Sequence, residues 1–279
     1  FDMALPVVDG DNRELFISLG CAVENMLIAA SHFGYTSRVS KSGVDGITVE
    51  LTKGETVLED NLFTMIERRQ TNRSVYNGKL IPEDTLKQLQ AIRREEAIQS
   101  YFFEVSMPSA HTITKYIMRG NEIQMSDAAF KEELLTWMRF NSKQVETTRN
   151  GLSYKVFGNP PLPKLLARPI VSRFLKPKVQ NKADKKKRDS SSHFVLFTTR
   201  KNSLEEWVDL GRTLQRFLLN LTHMGIAYAF MNQPCEIMKL ATALGKELSI
   251  DSEYLTLILR IGYSSSVPYS PRKKIKELL

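Results

Sequence analysis

The stretch Asp209-Leu210-Gly211-Arg212-Thr213-Leu214-Gln215-Arg216-Phe217-Leu218-Leu219-Asn220-Leu221-Thr222-His223-Met224-Gly225 decides the reading of this chain, because it occurs twice. Subtracting 191 from its landmarks Leu210-Gly211, Leu218-Leu219, His223 and Gly225 gives Leu19-Gly20, Leu27-Ile28, His32 and Gly34. Five of those six positions are identical, and the sixth exchanges one aliphatic side chain for another. A shared register ending in the same His-x-Gly points to an internal duplication. The later copy carries one apolar seam through Trp207, Leu210, Leu214, Phe217, Leu221 and Met224, the period of an amphipathic helix. Ser203 is its expected N-cap, with Glu206 completing a capping box, and Gly225 is its stop. The earlier copy, about 13–33, is apolar nearly all round, which predicts burial on most faces. The helices around Met26 and Phe217 are therefore expected to touch, each as the core of one half.

Working outward, alternation over Ile47–Leu51 predicts a strand after a turn at Asp45-Gly46. Asn61–Arg68 reads as a short helix, and Pro82 as the first residue of a helix through Leu86, Leu89 and Ile92. Tyr101–Val105, His193–Thr198 and Tyr254–Ile261 read as strands, and Asp127 opens a helix bearing Phe130, Leu134, Trp137 and Met138. Residues 150–163, with two glycines and three prolines, predict an irregular loop. Irregular alternation of helices and strands makes the class α+β.

The 279 residues suggest about two domains. The net charge of +8 is local: 176–188 carries +6 and 272–279 carries +3, leaving a body near neutrality and no general surface for polyanions. The run 176–188 predicts a mobile connection, since it has little apolar surface to bury. It also lacks interleaved aromatics for stacking bases, which argues against nucleic acid. No run of 18 apolar residues is present, which excludes a membrane span on this criterion. Cys21 and Cys235 are too few for a disulfide framework and lack metal-ligand spacing, so a reducing, cytoplasmic setting is expected. The chain opens Phe1-Asp2-Met3, which reads as a fragment or processed form rather than a secretory leader.

Nucleotide-loop, zinc-protease and serine-hydrolase signatures are all missing. His32 and His223 fall in the last turn of their helices, where histidine favours the dipole. What stands out is Glu67-Arg68-Arg69-Gln70-Thr71-Asn72-Arg73-Ser74, three arginines, a threonine and two amides at a helix end. Arginine forks and turn N–H groups hold phosphate oxygens, and a solvated basic patch is the bland alternative. A second basic element, Pro271-Arg272-Lys273-Lys274, follows the last strand.

Taken in order, the Arg-Arg-x-Thr-x-Arg helix end, Ile81-Pro82-Glu83, Asp209-Leu210-Gly211 through Gly225-Ile226, and Leu259-Arg260-Ile261-Gly262-Tyr263 before Pro271-Arg272 resemble the FMN-dependent nitroreductase family. Phe130-Lys131-Glu132-Glu133-Leu134 with Trp137, and Asn150-Gly151-Leu152, look like its Acg-type branch, in which two nitroreductase-like halves are fused and the first is degenerate. The resemblance implies a nitroreductase-like α+β fold of two pseudo-symmetric halves, each a sheet flanked by helices around long central helices. Residues 1–56 would be the end of the first half and 57–279 the second, with a lid or linker at 140–190. It further implies an FMN site between the halves. Arg68, Arg69, Gln70, Thr71 and Arg73 would lie on the phosphate–ribityl side, joined by Arg272, with Asn232 and Gln233 of the loop Met231-Asn232-Gln233-Pro234 toward the ring. The family's P-S-x-x-N-x-Q-P-W-like segment is absent here and in a fused chain would fall upstream of Phe1. The implied activity is electron transfer from NAD(P)H through FMN to a small-molecule acceptor, with flavin storage beneath a lid as the alternative. No catalytic protein side chain and no metal are expected, and one chain would mimic a nitroreductase dimer.

Overall fold

The computed structural model describes residues 5–41, 46–54, 61–158, 160–271 and 273. The expected turn residue Asp45 and the expected phosphate ligand Arg272 lie outside them. Nineteen elements follow the order α1 (Arg13–His32), β1 (Tyr35–Lys41), β2 (Ile47–Lys53), α2 (Met65–Arg68), α3 (Glu83–Gln90), β3 (Ile98–Glu104), α4 (Pro108–Ser126), α5 (Ala128–Trp137), β4 (Met138–Arg139), α6 (Ser142–Thr148), β5 (Leu152–Ser153), a 3-10 turn (Tyr154–Phe157), α7 (Lys164–Ser172), α8 (Pro177–Asp189), β6 (His193–Thr199), α9 (Leu204–His223), β7 (Ala227–Phe230), α10 (Met238–Glu247) and β8 (Tyr254–Gly262).

The strands β3-β6-β8-β7 form one antiparallel sheet. Its central members β6 and β8 are apolar on both faces because both faces are covered. Val195, Phe197, Leu257, Leu259 and Ile261 face the seam of α9 (Leu210, Leu214, Phe217, Leu218). Phe194, Leu196 and Ile258 face α4 and α10 through Ile113, Ile117 and Leu244. Burial of each of these aliphatic or phenyl side chains contributes about 1.5–3 kcal/mol. A register shift between Phe197 and Thr198 re-aims the end of β8, so that Leu255 joins the α4 side.

α9 is the most legible helix. The Ser203 hydroxyl accepts from Glu206 N at 3.4 Å, as expected of its cap. The return half of the box is absent, because the Glu206 carboxylate accepts from Lys201 N instead. α1 packs along α9 in the register of the repeat. A Cβ on Gly20 would lie 2.2 Å from Val208 O, and one on Gly211 would lie 2.0 Å from Ile17 O. The offset of 191 carries Gly20 to Gly211 and Ile17 to Val208, so the two approaches exchange with one another. The polar pairs behave likewise: Arg216 pairs with Glu24 at 2.5 Å and Gln215 donates to Asn25 at 2.7 Å. Beyond this pair of helices the correspondence stops. β1 and β2 form a separate antiparallel hairpin, exposed along much of its length, rather than a sheet matching the larger one.

Several expectations change. α1 is buried on one face only, with Met26 48 % exposed. It also has the length and hydropathy of a membrane span. Its Ile17, Val23 and Ile28 are nevertheless buried and its Glu24 is held by arginines of α9, which marks a core helix. Pro82 precedes α3 rather than opening it, in an extended conformation at ψ 148°. The short helix expected over 61–68 contracts to α2. Residues 176–188 are not a loose connection. They form α8, whose one buried acid, Asp184, accepts from Asn121 of α4 at 2.9 Å and from Gln233 at 3.2 Å. Local composition missed this because the stabilising partners lie about 50 and 60 residues away in sequence.

Candidate functional site

α2 ends at Arg68; the backbone of Arg69, its C-cap, turns extended at ψ 128°, and the chain then runs to Ser74 without regular structure. Long-range bonds fix this loop. Asn72 N donates to Tyr228 O of β7 at 2.8 Å, and Asn72 Nδ2 donates to Ser265 O at 2.8 Å. Asn72 Oδ1 accepts from Ser74 N at 3.1 Å, a local Asx turn. The tail beyond β8 runs beside the loop: Ser264 Oγ meets Ser74 Oγ at 2.9 Å, and Tyr269 Oη donates to Arg68 O at 2.9 Å. Two segments nearly 200 residues apart thus form one wall-to-wall unit.

Between them opens a cleft of about 180 Å³ lined by Arg69, Gln70, Thr71 and Arg73. Leu152 and Val156 close one side, and Pro268, Tyr269 and Ser270 close the other. Arg69 Nη1 donates to Tyr228 Oη at 2.7 Å. No ion pair among the described residues involves Arg69. Burial pushes the Arg73 guanidinium below its ordinary value, partly offset by Tyr228 and Tyr76. Arg260 is completely buried beneath the loop, its guanidinium 3.9 Å from the Tyr76 ring centre and donating to Ser74 O at 2.7 Å. Burial also lowers its pKa. Arg69 and Arg73 thus put two guanidinium groups on a small opening, the kind of donor set that suits an anion.

Leu152 also lines a second chamber, of about 450 Å³, with Phe130, Leu134 and Trp137 of α5 and the carboxylates Glu133 and Glu236. Gly151 makes this wall possible. It sits at φ +72°, and a Cβ there would come within 2.3 Å of Trp137 O. Beside the chamber is a group of acids around the start of α1. The Asp9 carboxylate caps α1 by accepting from Glu14 N and Leu15 N at 2.9 and 3.0 Å. Burial raises the Glu14 carboxyl to about 7, against the opposing pull of Arg13. Burial likewise pushes up Glu236, whose carboxylate accepts from Gln124 Nε2 at 2.5 Å.

Of the eight residues expected at the site, Arg69, Gln70, Thr71 and Arg73 come together in the cleft. Arg68 is exposed and contributes its carbonyl to Tyr269. Asn232 and Gln233 turn elsewhere: Asn232 donates to Glu14 and accepts from Ile258 N, and Gln233 reaches Asn121 and Asp184. Sequence reasoning missed Tyr228, Leu152, Val156 and Tyr269. Only Leu152 had a signal, its place beside Asn150-Gly151. The thiols of Cys21 and Cys235 are both pushed up by burial, so neither is a reactive thiolate. Among the described residues no group of three or more His, Cys, Asp or Glu is placed to hold a metal ion.

The fold is similar to that of the FMN- and NADPH-dependent nitroreductase NfnB from Sphigopyxis sp. strain HMH, with a TM-score of 0.51 at 13 % identity over 78 % of this chain and 97 % of that one. In sequence the whole chain is 22 % identical to 80 % of a Mycobacterium tuberculosis protein that carries the provisional name NAD(P)H nitroreductase, in strains H37Rv and CDC 1551. No family model matches the chain. The chain is thus similar over its full length to a protein provisionally named a nitroreductase, and it shares the fold of an FMN- and NADPH-dependent nitroreductase.

Proposed function

We propose that this protein is an FMN-dependent NAD(P)H oxidoreductase of the nitroreductase type, acting on a small-molecule acceptor in the cytoplasm. The observation that carries this reading is that Leu152 lines both a cationic cleft and an apolar, aromatic chamber, so the two lie side by side. FMN has the same division, a phosphate dianion at one end and a flat ring system at the other. The chamber, at about 450 Å³, falls in the range of a cofactor site, about 300–1,000 Å³. The donor set fits as well. Arg69 and Arg73 supply charge-assisted hydrogen bonds, and Gln70 and Thr71 supply neutral donors for phosphate or ribityl oxygens. Trp137, Phe130 and Leu134 would enclose the ring end and exclude water. When bound, FMN supplies hydride acceptance from NAD(P)H and electron delivery to an acceptor, so the protein needs no nucleophile of its own. The exchanged contacts of α1 and α9 support a single chain standing in for a two-fold dimer, with residues 1–56 and 57–279 as its unequal halves.

A second reading, flavin storage with little turnover, is favoured by one observation. Leu152 and Val156 belong to the 140–190 segment and wall the cleft, as a lid would. Anaerobic addition of NADPH or NADH to the FMN-loaded protein separates the two. Bleaching of the flavin absorbance, with recovery on adding an acceptor, is the expected result. A yellow protein that neither nucleotide bleaches leaves storage as the function.

A further inference from the structure

Arginine is a long side chain with considerable rotamer entropy, and a phosphate site gains affinity when its arginines are held in place beforehand. In this loop the holding is done from β7. Tyr228 is 1 % exposed, and its hydroxyl accepts from Arg69 Nη1 at 2.7 Å. The carbonyl of the same residue accepts from Asn72 N at 2.8 Å. One residue therefore grips the loop at two points, one of them the Arg69 side chain that lines the cleft. Arg260 braces the loop from behind through Asn72 O and Ser74 O, while Tyr76 Oη donates to Asn72 O at 2.9 Å.

We infer that Tyr228 is a positioning residue that aims Arg69 at the phosphate of a bound flavin, and so sets a preference for a phosphorylated flavin over the unphosphorylated one. This rests on the proposed flavin site for its ligand but not for its geometry, since any phosphate monoester in the cleft would meet the same arginine. Tyr228 does not line the cleft, so its action passes through its partners rather than by contact with the ligand.

The test is Tyr228→Phe, which keeps the buried ring and the backbone bond to Asn72 and removes only the hydroxyl. Binding of FMN and of riboflavin is followed by fluorescence quenching, and thermal stabilisation by inorganic phosphate is followed without flavin. In the variant, FMN binding should weaken about tenfold, equivalent to about 1.4 kcal/mol, with riboflavin binding unchanged. The stabilisation by phosphate should shrink in parallel. Restoring partial fixation with Tyr228→His, which returns a hydrogen-bonding atom, should recover part of the FMN preference. Equal losses for both flavins, or no loss for either FMN or phosphate, overturns the inference. If the wild type binds no flavin yet is stabilised by phosphate in a Tyr228-dependent way, the positioning role stands and the flavin reading fails. If neither flavin nor phosphate affects the wild type, the positioning role fails too.

Discussion

Gly211→Ala is expected to destabilise the protein, although alanine is the better helix former. In an exposed helix interior the exchange would stabilise by roughly 1 kcal/mol. Here the new methyl would lie 2.0 Å from Ile17 O and 2.8 Å from Gly20 Cα, all of it backbone that no rotamer can move aside. Carbon contacts begin near 3.5 Å, so α1 and α9 must part by roughly 1 Å or more. That separation loosens Ile17, Leu210 and Leu214, which are almost fully buried. Overpacking of this kind typically costs about 1–3 kcal/mol and occasionally more, and the propensity gain offsets about one of these. The net expectation is a loss of about 1–3 kcal/mol. Thermal denaturation should register it as a fall of roughly 2–4 °C per kcal/mol, using the scale for domains of about 150–250 residues. Gly245→Ala on α10 is the control, since its nearest obstruction is the flexible end of Leu255 at 3.2 Å. A Gly211→Ala protein that melts at or above the wild type would refute the close crossing of the two repeated helices.

Asp184→Ala should destabilise by about 2–3 kcal/mol, because Asn121 and Gln233 lose a charged partner. In limited proteolysis α8 should resist cleavage in the wild type and be cut early in this variant. Glu14, raised to about 7, holds a proton in the folded state that the unfolded chain has released above the ordinary carboxyl range. The native state then binds more protons, so stability should fall as pH rises from about 4.5 to 7 and level off above. The drop should be about 1–2 kcal/mol, less than the full shift implies because the side chain remains 29 % exposed to water. Denaturant titrations across that range should show the slope, and Glu14→Gln should flatten it.

The parts of the molecule legible in the sequence are those whose stabilising pattern is local. α9 announced itself through its seam and its Ser203 cap, and β6 and β8 through continuous β-branched and aromatic residues that only a doubly covered strand carries. α8 was not legible because its sequence is a row of lysines, and what orders it is a buried Asp184 meeting α4 and the β7–α10 connection. α4 also escaped: its apolar positions are interleaved with threonine, asparagine and glutamine that bury against other elements. The hairpin of β1 and β2 exposes most of its residues, so alternation was weak in β1. At the site, Arg69 to Arg73 stood out by density of charge and hydrogen-bonding groups. Their enclosure did not, because Tyr228, Leu152 and Tyr269 are ordinary apolar or aromatic residues until the fold brings them to the same cleft.

In the function proposed above, the cleft at Arg69 and Arg73 receives the phosphate of FMN. Parallel fluorescence titrations of the wild type and Arg69→Ala with FMN and with riboflavin test it directly. The wild type should prefer FMN, and Arg69→Ala should weaken FMN binding by about 1.5–3 kcal/mol, the worth of a hydrogen bond to a charged group, with riboflavin binding unchanged. A wild type that binds the two flavins equally, or an Arg69→Ala protein that binds FMN as tightly as the wild type, would contradict the account.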